Sequence, residues 1–306
     1  MELEKLTTEG VHPDSLDLDI FSTRQILEFM SVEDHKVAPA VKSVLPQVEK
    51  AVERVVSSFK NDGRIIYVGA GTSGRLGILD ASECPPTFGS DPSQVVGLIA
   101  GGHDAVFMSR EGAEDESDVG AEDLKAVNLQ AQDTVLGIAA STRTPYVLGA
   151  LHYAKEVGAG TIFLTCNPSP NDKTSAKLAD VVISLSLGQE VVMGSTRLKA
   201  GTATKLVLNM ITTTAFIHCG HVYKGMMVDL KTWSDKLQAR SRRVLMLATD
   251  LGFDQADRLL EESGGSVKTA IIMALCNVDK DLAESLLQES GGFVRPAIEK
   301  GSSTSE

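Results

Sequence analysis

Five short runs dominated by β-branched and other apolar residues alternate with segments long enough for helices: Arg64 to Val68, Gln94 to Ala100, Thr134 to Ala140, Thr161 to Cys166 and Val181 to Leu187. Strands separated in this way need right-handed crossovers, and crossovers of that kind build a parallel sheet. The runs are almost continuously apolar, as expected when helices cover both faces. The expected fold is α/β: a parallel five-stranded sheet flanked by helices, with N-terminal helices and a small C-terminal helical module.

The flanking segments read as helical. Ile26, Leu27, Met30, Val37, Val41, Val44, Val48, Val52, Val55 and Phe59 recur mostly at helical steps between Ser22 and Lys60. After Gly188, Ala200 to Cys219 and Met226 to Ala248 have the same character. Further on, Leu251-Gly252-Phe253-Asp254 and Ser290-Gly291-Gly292-Phe293 bracket the apolar run Thr269 to Leu275. That helix-Gly-Phe-helix opening looks like a three-helix, ubiquitin-associated type fold. The expected units are an N-terminal helical segment packed on the core (1–60), a sheet domain (61–247), the C-terminal module (248–300) and a polar, disordered tail (301–306). The module is too small for a strong core of its own and is expected to pack on the rest.

Lys plus Arg is 29 against 41 for Asp plus Glu, a net charge of −12, which disfavours nucleic acid and other polyanions. A small phosphate ester is still compatible, because local amides, hydroxyls and one or two cations decide that contact. Cys84, Cys166, Cys219 and Cys276 lie far apart and form no Cys-x-x-Cys pair, so buried thiols are expected and not a disulfide framework. The opening MELEKLTTEG has no secretory character, and Leu206 to Cys219 is too short and too polar to cross a bilayer. The expectation is a cytoplasmic protein without a membrane partner.

Three strand ends deliver turns of one kind: Gly69-Ala70-Gly71-Thr72-Ser73-Gly74-Arg75, Ala140-Ser141-Thr142-Arg143-Thr144-Pro145 and Gly194-Ser195-Thr196-Arg197-Leu198-Lys199. In an open parallel sheet the carboxyl ends of strands bound the ligand crevice, so these turns should converge. Small residues let backbone approach an anion, hydroxyls donate hydrogen bonds, and a following helix offers free amides at its positive end. Phosphate is the guest such turns suit. Thr72, Ser73, Ser141, Arg143, Thr144, Ser195, Thr196 and Lys199 are the candidate ligand contacts. Arg75 and Arg197 are weaker ones, since a basic residue near a loop is more often solvated or structural.

The first turn also fits Gly-x-Gly-x-x-Gly, the dinucleotide fingerprint, but the second run ends in Ala100-Gly101-Gly102 with no ribose-binding acid before Asp104. No Gly-x-x-x-x-Gly-Lys-Ser/Thr loop occurs, so nucleotide hydrolysis has no support. Glu83 is the best-placed acid: Pro85-Pro86 are expected to end its helix just behind it, and the negative end of a helix dipole favours the protonated carboxyl. Glu111, Glu114, Asp115 and Glu116 open the next helix, and spacing alone does not choose among them. His218 and His221 flank Cys219 at a spacing more typical of packing than of metal binding, so no metal site is assigned.

With these residues on the page, the chain resembles the N-acetylmuramic acid 6-phosphate etherase family of the sugar isomerase (SIS) superfamily. The resemblance runs through Thr8-Glu9-Gly10, Val32-Glu33-Asp34, Gly69 to Gly77, Leu79-Asp80-Ala81-Ser82-Glu83-Cys84-Pro85-Pro86-Thr87, Glu111 to Asp115, Gly194 to Arg197 and Lys199 to Thr202. It implies an SIS-type fold, no cofactor, and cleavage of the lactyl ether of a sugar phosphate by elimination and hydration. It also implies the catalytic pair Glu83, as proton donor, and Glu114, in a homodimer with shared active sites. The chain departs from the family pattern at Thr142, where glycine is usual, at Met193, where threonine is usual, and at Ser234, where asparagine is usual. At Thr142 a side chain either narrows the turn beside Ser141 or requires a changed backbone angle if that glycine has positive φ. An unbroken helix from Thr72 would put Glu83 roughly 16 Å along its axis, farther than an open-chain hexose phosphate reaches. Either the helix ends early, or the Ser141 and Ser195 turns hold the phosphate nearer Glu83, or a second subunit completes the site. The resemblance to a family of dimers with shared sites favours the last. A sugar-phosphate aldose-ketose isomerase and a non-catalytic sugar-phosphate sensor are the competing readings.

Overall fold

The computed structural model describes residues 6–167, 177–230 and 235–303; Ser234 therefore lies outside the described residues. Three N-terminal helices, α1 (Thr23–Asp34), α2 (Val37–Ser43) and α3 (Leu45–Lys60), precede the sheet. Ser22 starts α1 with a reciprocal cap: its hydroxyl accepts from the Gln25 amide while the Gln25 side chain accepts from the Ser22 amide. One face of α3 carries Val48, Ala51, Val52 and Val55, all buried, which is the stripe read from the sequence.

The sheet strands are β1 (Ile65–Gly69), β2 (Val95–Ile99), β3 (Thr134–Ile138), β4 (Gly160–Thr165) and β5 (Val181–Ser184). They pair in the order β2-β1-β3-β4-β5, and every pairing is parallel. Every residue of β1, β3 and β4 is buried, whereas the edge strands β2 and β5 are partly open. That is the burial expected of continuously apolar central strands. The crossovers contain α4 (Gly71–Phe88), then α5 (Asp104–Phe107) with α6 (Ser117–Ala126), and α7 (Pro145–Val157).

After β5 come α8 (Lys199–His218), the two-stranded ribbon β6 (Val222–Tyr223) and β7 (Met226–Met227), and α9 (Asp235–Thr249). The ribbon corrects the expectation of a helix from Met226. Lys224 (φ +48°) and Gly225 (φ +76°) take the left-handed pair of angles that a tight hairpin needs, and α9 starts only at Asp235. The C-terminal module holds four helices, one more than expected: α10 (Phe253–Glu262), α11 (Val267–Cys276), α12 (Lys280–Glu289) and α13 (Val294–Ser303). Its core is built from Ala256, Ile271, Ile272, Ala283, Leu286 and Ala297, together with Val244 and Leu245 of α9. Helix α13 runs into the stretch expected to be a disordered tail; Gly301 is buried in it, and a Cβ there would come within 2.7 Å of Cys276 Sγ.

The chain divides into two compact units, residues 1–82 with 93–212, and residues 83–92 with 213–306. Helices α4 and α8 each supply residues to both units, so this division falls within helices. Cys84, Cys166 and Cys276 are buried and Cys219 is half-buried, and none of the four is in a disulfide. Burial pushes the Cys166 thiol up to about 12. Among the described residues no helix is long and apolar enough to cross a membrane.

Candidate functional site

The strand order reverses direction between β1 and β3, whose neighbours lie on opposite sides, and the crevice of such a sheet opens at the carboxyl ends of those two strands. The first and second turns follow β1 and β3 directly. In the first, Gly74 is required by close packing: a Cβ would sit 2.6 Å from Ile99 Cγ1 and 2.7 Å from the Gly69 carbonyl. Gly71 is required by conformation, with φ +52° and open space around it, so the backbone beside Thr72 and Ser73 is accessible.

The second turn leads into α7, with Thr144 as its N-cap residue and Pro145 in the first turn; the Thr144 side chain makes no capping bond. Pro145 has no amide and the Val147 and Leu148 amides donate to the Thr144 carbonyl, so this helix end offers an anion its positive dipole and few free amides. Thr142 takes φ +63°, the positive angle that the family's glycine would allow, and its hydroxyl donates to the Ser141 carbonyl. Arg143 is exposed.

The third turn is tied to the second through Thr8 and Asn167, to which the sequence reading gave no role. The Gly194 amide donates to the Thr8 carbonyl at 3.1 Å. The Asn167 side-chain amide donates to Thr8 Oγ1 at 2.8 Å and to the Ala140 carbonyl at 2.7 Å, while its oxygen accepts from the Thr8 amide. Thr8 thus bridges the residues preceding Ser141 and Ser195. On the other side, a Cβ on Gly201 would lie 3.6 Å from Thr72 Cγ2, so the start of α8 sits against the first turn. The three turns converge. The Thr8-Glu9-Gly10 motif was the only trace of this strap in the sequence; Asn167 carried none.

Lys199 is placed differently from its expected role. It is 1% exposed, with Nζ 2.6 Å from Glu33 Oε2 and 3.0 Å from the Leu187 carbonyl, so its charge is already engaged. Burial alone would raise the Glu33 carboxyl, but Lys199 and Lys36 outweigh it and hold Glu33 below the usual range. His12 Nε2 completes this cluster, 3.2 Å from Glu33 Oε1. Glu190 accepts from the Lys199 and Ala200 amides, so a buried carboxylate occupies the N-terminus of α8. Its pKa is raised by burial, partly offset by those amides. Arg75 is also structural: Nε and Nη2 donate to the Val106 and Ala105 carbonyls at 2.8 Å.

Beside the first turn is a cleft of about 230 Å³ whose walls include Gly71, Arg75, Ser109, Glu111 and Glu114. Glu114 lies in a single turn, Ala113–Asp115, ahead of α6, after Gly112 reverses the chain at φ +79°. The side chain reaches solvent, yet partial desolvation, with the like charges of Asp115 and Glu111, raises its pKa.

Glu83 is an exposed residue of α4 and belongs to the second unit. The prolines do not end its helix: Pro85 and Pro86 lie inside α4, which continues to Phe88, more than a turn beyond Glu83. The helix-end environment argued from the prolines is therefore absent. Pro85 and Pro86 instead remove the amides that would meet the Ala81 and Ser82 carbonyls, while burial of Cys84 and Phe88 keeps the turn helical. His221 lies beyond the end of α8, and among the described residues no group of three or more His, Cys, Asp or Glu side chains forms a metal site.

Residues 47–155 match the family model of the glucokinase regulatory protein N-terminal SIS domain. The chain is 52% identical over 280 residues to the N-acetylmuramic acid 6-phosphate etherase of Caldanaerobacter subterraneus, covering 92% of this chain and 90% of that one. It is 50% identical over 277 residues to N-acetylmuramic acid 6-phosphate etherase 2 of Vibrio cholerae, covering 90% and 89% respectively. A solved phosphoheptose isomerase from Neisseria gonorrhoeae aligns at 17% identity over 63% of this chain and 98% of that one, with a TM-score of 0.48. On the extent and identity of the match to its curated relatives, the chain belongs to the N-acetylmuramic acid 6-phosphate etherase family.

Proposed function

We propose that this protein cleaves the lactyl ether of N-acetylmuramic acid 6-phosphate to give N-acetylglucosamine 6-phosphate and D-lactate. Identity of about half across some nine-tenths of the chain to curated etherases is the observation that carries the reading. The geometry supplies the chemistry. Thr72, Ser73, Ser141, Thr144, Ser195 and Thr196, on the three converging turns, hold the sugar phosphate, with Arg143 beside them. Lys199 leaves this set because its ammonium is bonded to Glu33.

The open-chain aldehyde acidifies the C2 proton, and Glu114 removes it. The C3–O bond breaks, Glu83 protonates the departing lactyl oxygen, and an unsaturated aldehyde remains. Glu83, now ionised, takes a proton from water as the water oxygen adds to C3, and Glu114 returns its proton to C2. The two carboxyls end as they began, and the net change is hydrolysis. A base works best with its pKa drawn toward the operating pH, which is the direction found for Glu114.

Turnover in heavy-oxygen water tests this order of events. The label is expected at the C3 hydroxyl of the sugar, with none in lactate. Label in lactate would replace elimination by direct displacement, and no lactate at all would sink the etherase reading.

Because Glu114 must be ionised to act, activity is lost as pH falls through its pKa, and a raised pKa moves that acid limb upward. Asp115→Asn and Glu111→Gln each remove a like charge, so the acid limb of kcat/KM is expected to move to lower pH in both. A limb that stays in place in both variants would assign it to another group.

The active unit is a homodimer with shared sites. Helix α4 is unbroken between Thr72 and Glu83, a separation of roughly 16 Å along its axis, longer than the open-chain substrate. In this reading the partner subunit's Glu83 serves a sugar bound at one set of turns.

A further inference from the structure

The last carbonyls of a helix have no partner within it, and the end of α4 is where the Glu83-bearing turn is held. Gly89 closes the helix at φ +64°, its amide donating to the Pro85 carbonyl at 2.9 Å. The Phe88 carbonyl is taken by His221 Nδ1 at 2.8 Å. The Phe88 ring stacks on Phe216, 4.5 Å between centroids, and the His221 ring meets Phe216 edge-on at 5.0 Å.

Behind His221 lies a chain of charges. Asp229 Oδ2 is 2.9 Å from His221 Nδ1, and Lys268 Nζ of α11 is 2.5 Å from the same oxygen. Neither is an aligned hydrogen bond; the Lys268 contact is an ion pair by distance, and the His221 contact is a close approach of the ring nitrogen to the carboxylate. Lys268 is 8% exposed on a helix most of whose residues are buried. An ammonium is costly to bury, and its pairing with Asp229 offsets that cost. The Asp229 carbonyl also presses on the helix end, where a Cβ on Gly89 would lie 2.0 Å from it. All these residues belong to one compact unit, the one that holds Glu83 and the C-terminal helices.

We propose that His221, Asp229 and Lys268 are positioning residues for Glu83, and that the C-terminal helices serve catalysis by fixing the rotation of the end of α4. Cys84 and Phe88 face inward at 2% and 6% exposure, while Glu83, one residue from Cys84, faces outward. A side chain reaches about 6 Å from a helix axis, so a twist of roughly 10° moves a carboxylate by ~1 Å. A displacement of that size is worth up to ~100-fold in rate. The proposal deepens the etherase reading and rests on Glu83 as the acid.

The test is a double-mutant cycle on the full chain, following D-lactate release from N-acetylmuramic acid 6-phosphate together with thermal unfolding. Asp229→Asn keeps shape and removes the charge. It is expected to lower kcat about 10-fold, with KM within about two-fold. In Glu83→Asp, whose shortened carboxylate is already misplaced, adding Asp229→Asn is expected to cost less than about two-fold more. Lys268→Met, which keeps the buried stem, should give the same pattern and carries the cycle if Asp229→Asn does not fold. Full multiplication of the two losses, a rise in KM alone, or unchanged kcat with a lowered unfolding midpoint would each overturn the positioning role. A wild-type protein that releases no lactate would instead overturn the etherase reading.

Discussion

Replacing Glu83 by glutamine is expected to lower lactate release by ~10²- to 10⁴-fold with little change in KM, because the variant loses the proton needed by the leaving oxygen and the base that activates water. Glu83 is exposed, so the fold should tolerate the change, and an unaltered unfolding midpoint separates lost chemistry from lost structure. Steady-state lactate release at saturating substrate is the measurement, and wild-type turnover would exclude Glu83 as the acid. The same variant tests the shared site. In a heterodimer of a Glu83→Gln chain and a Ser141→Ala chain, one site combines both defects and the other neither. Random mixing of equal amounts should then recover roughly a quarter of wild-type activity. No recovery would place both residues of a site on one subunit.

Asp80→Ala is expected to destabilise the protein by about 3 kcal/mol, read from the urea unfolding midpoint. Asp80 is 5% exposed on α4, facing inward where Glu83 faces outward. Its carboxylate accepts from the Tyr67 hydroxyl at 2.7 Å, the Asn209 amide at 2.6 Å and the Thr212 hydroxyl at 3.1 Å. Truncation removes the acceptor shared by donors from β1 and α8, of which Thr212 retains the Leu208 carbonyl, and a donor deprived of a buried partner bears a desolvation penalty. Asp80→Asn keeps one acceptor oxygen but turns an amide toward donors, so it should fall between alanine and wild type. A loss below about 0.5 kcal/mol in the alanine variant would show that the network reorganises around the gap.

The polar contacts explain why some residues were legible in the sequence and others were not. The turns at Gly69 and Ser141 stood out because glycine and hydroxyl residues follow apolar strands, and a parallel sheet fixes which strand end faces the crevice. The roles of Asp80 and Asn167 were not legible. Each has a partner more than 120 residues away, and no local spacing encodes such a pair. Lys199 was read as a free cation because it stands beside a hydroxyl turn, but Glu33, distant in sequence, had already claimed it. The double proline was misread because local propensity ends a helix there, whereas burial of Cys84 and Phe88 keeps α4 going.

By itself the sequence determined the parallel α/β sheet, the strands to within a residue or two at most ends, and the turns after β1 and β3. Those features depend on short-range pattern: continuous apolar runs, helical periodicity, and glycine where only glycine fits. It also carried the family through motifs spread along the chain. The tertiary structure alone decided which polar side chains are engaged and which are open. It also decided that partial burial and its acidic neighbours raise the Glu114 pKa, and that Glu83 shares a compact unit with the C-terminal helices. Charge, burial and hydrogen bonding depend on what the fold brings together from distant parts of the chain, and that information exists only once the chain has folded.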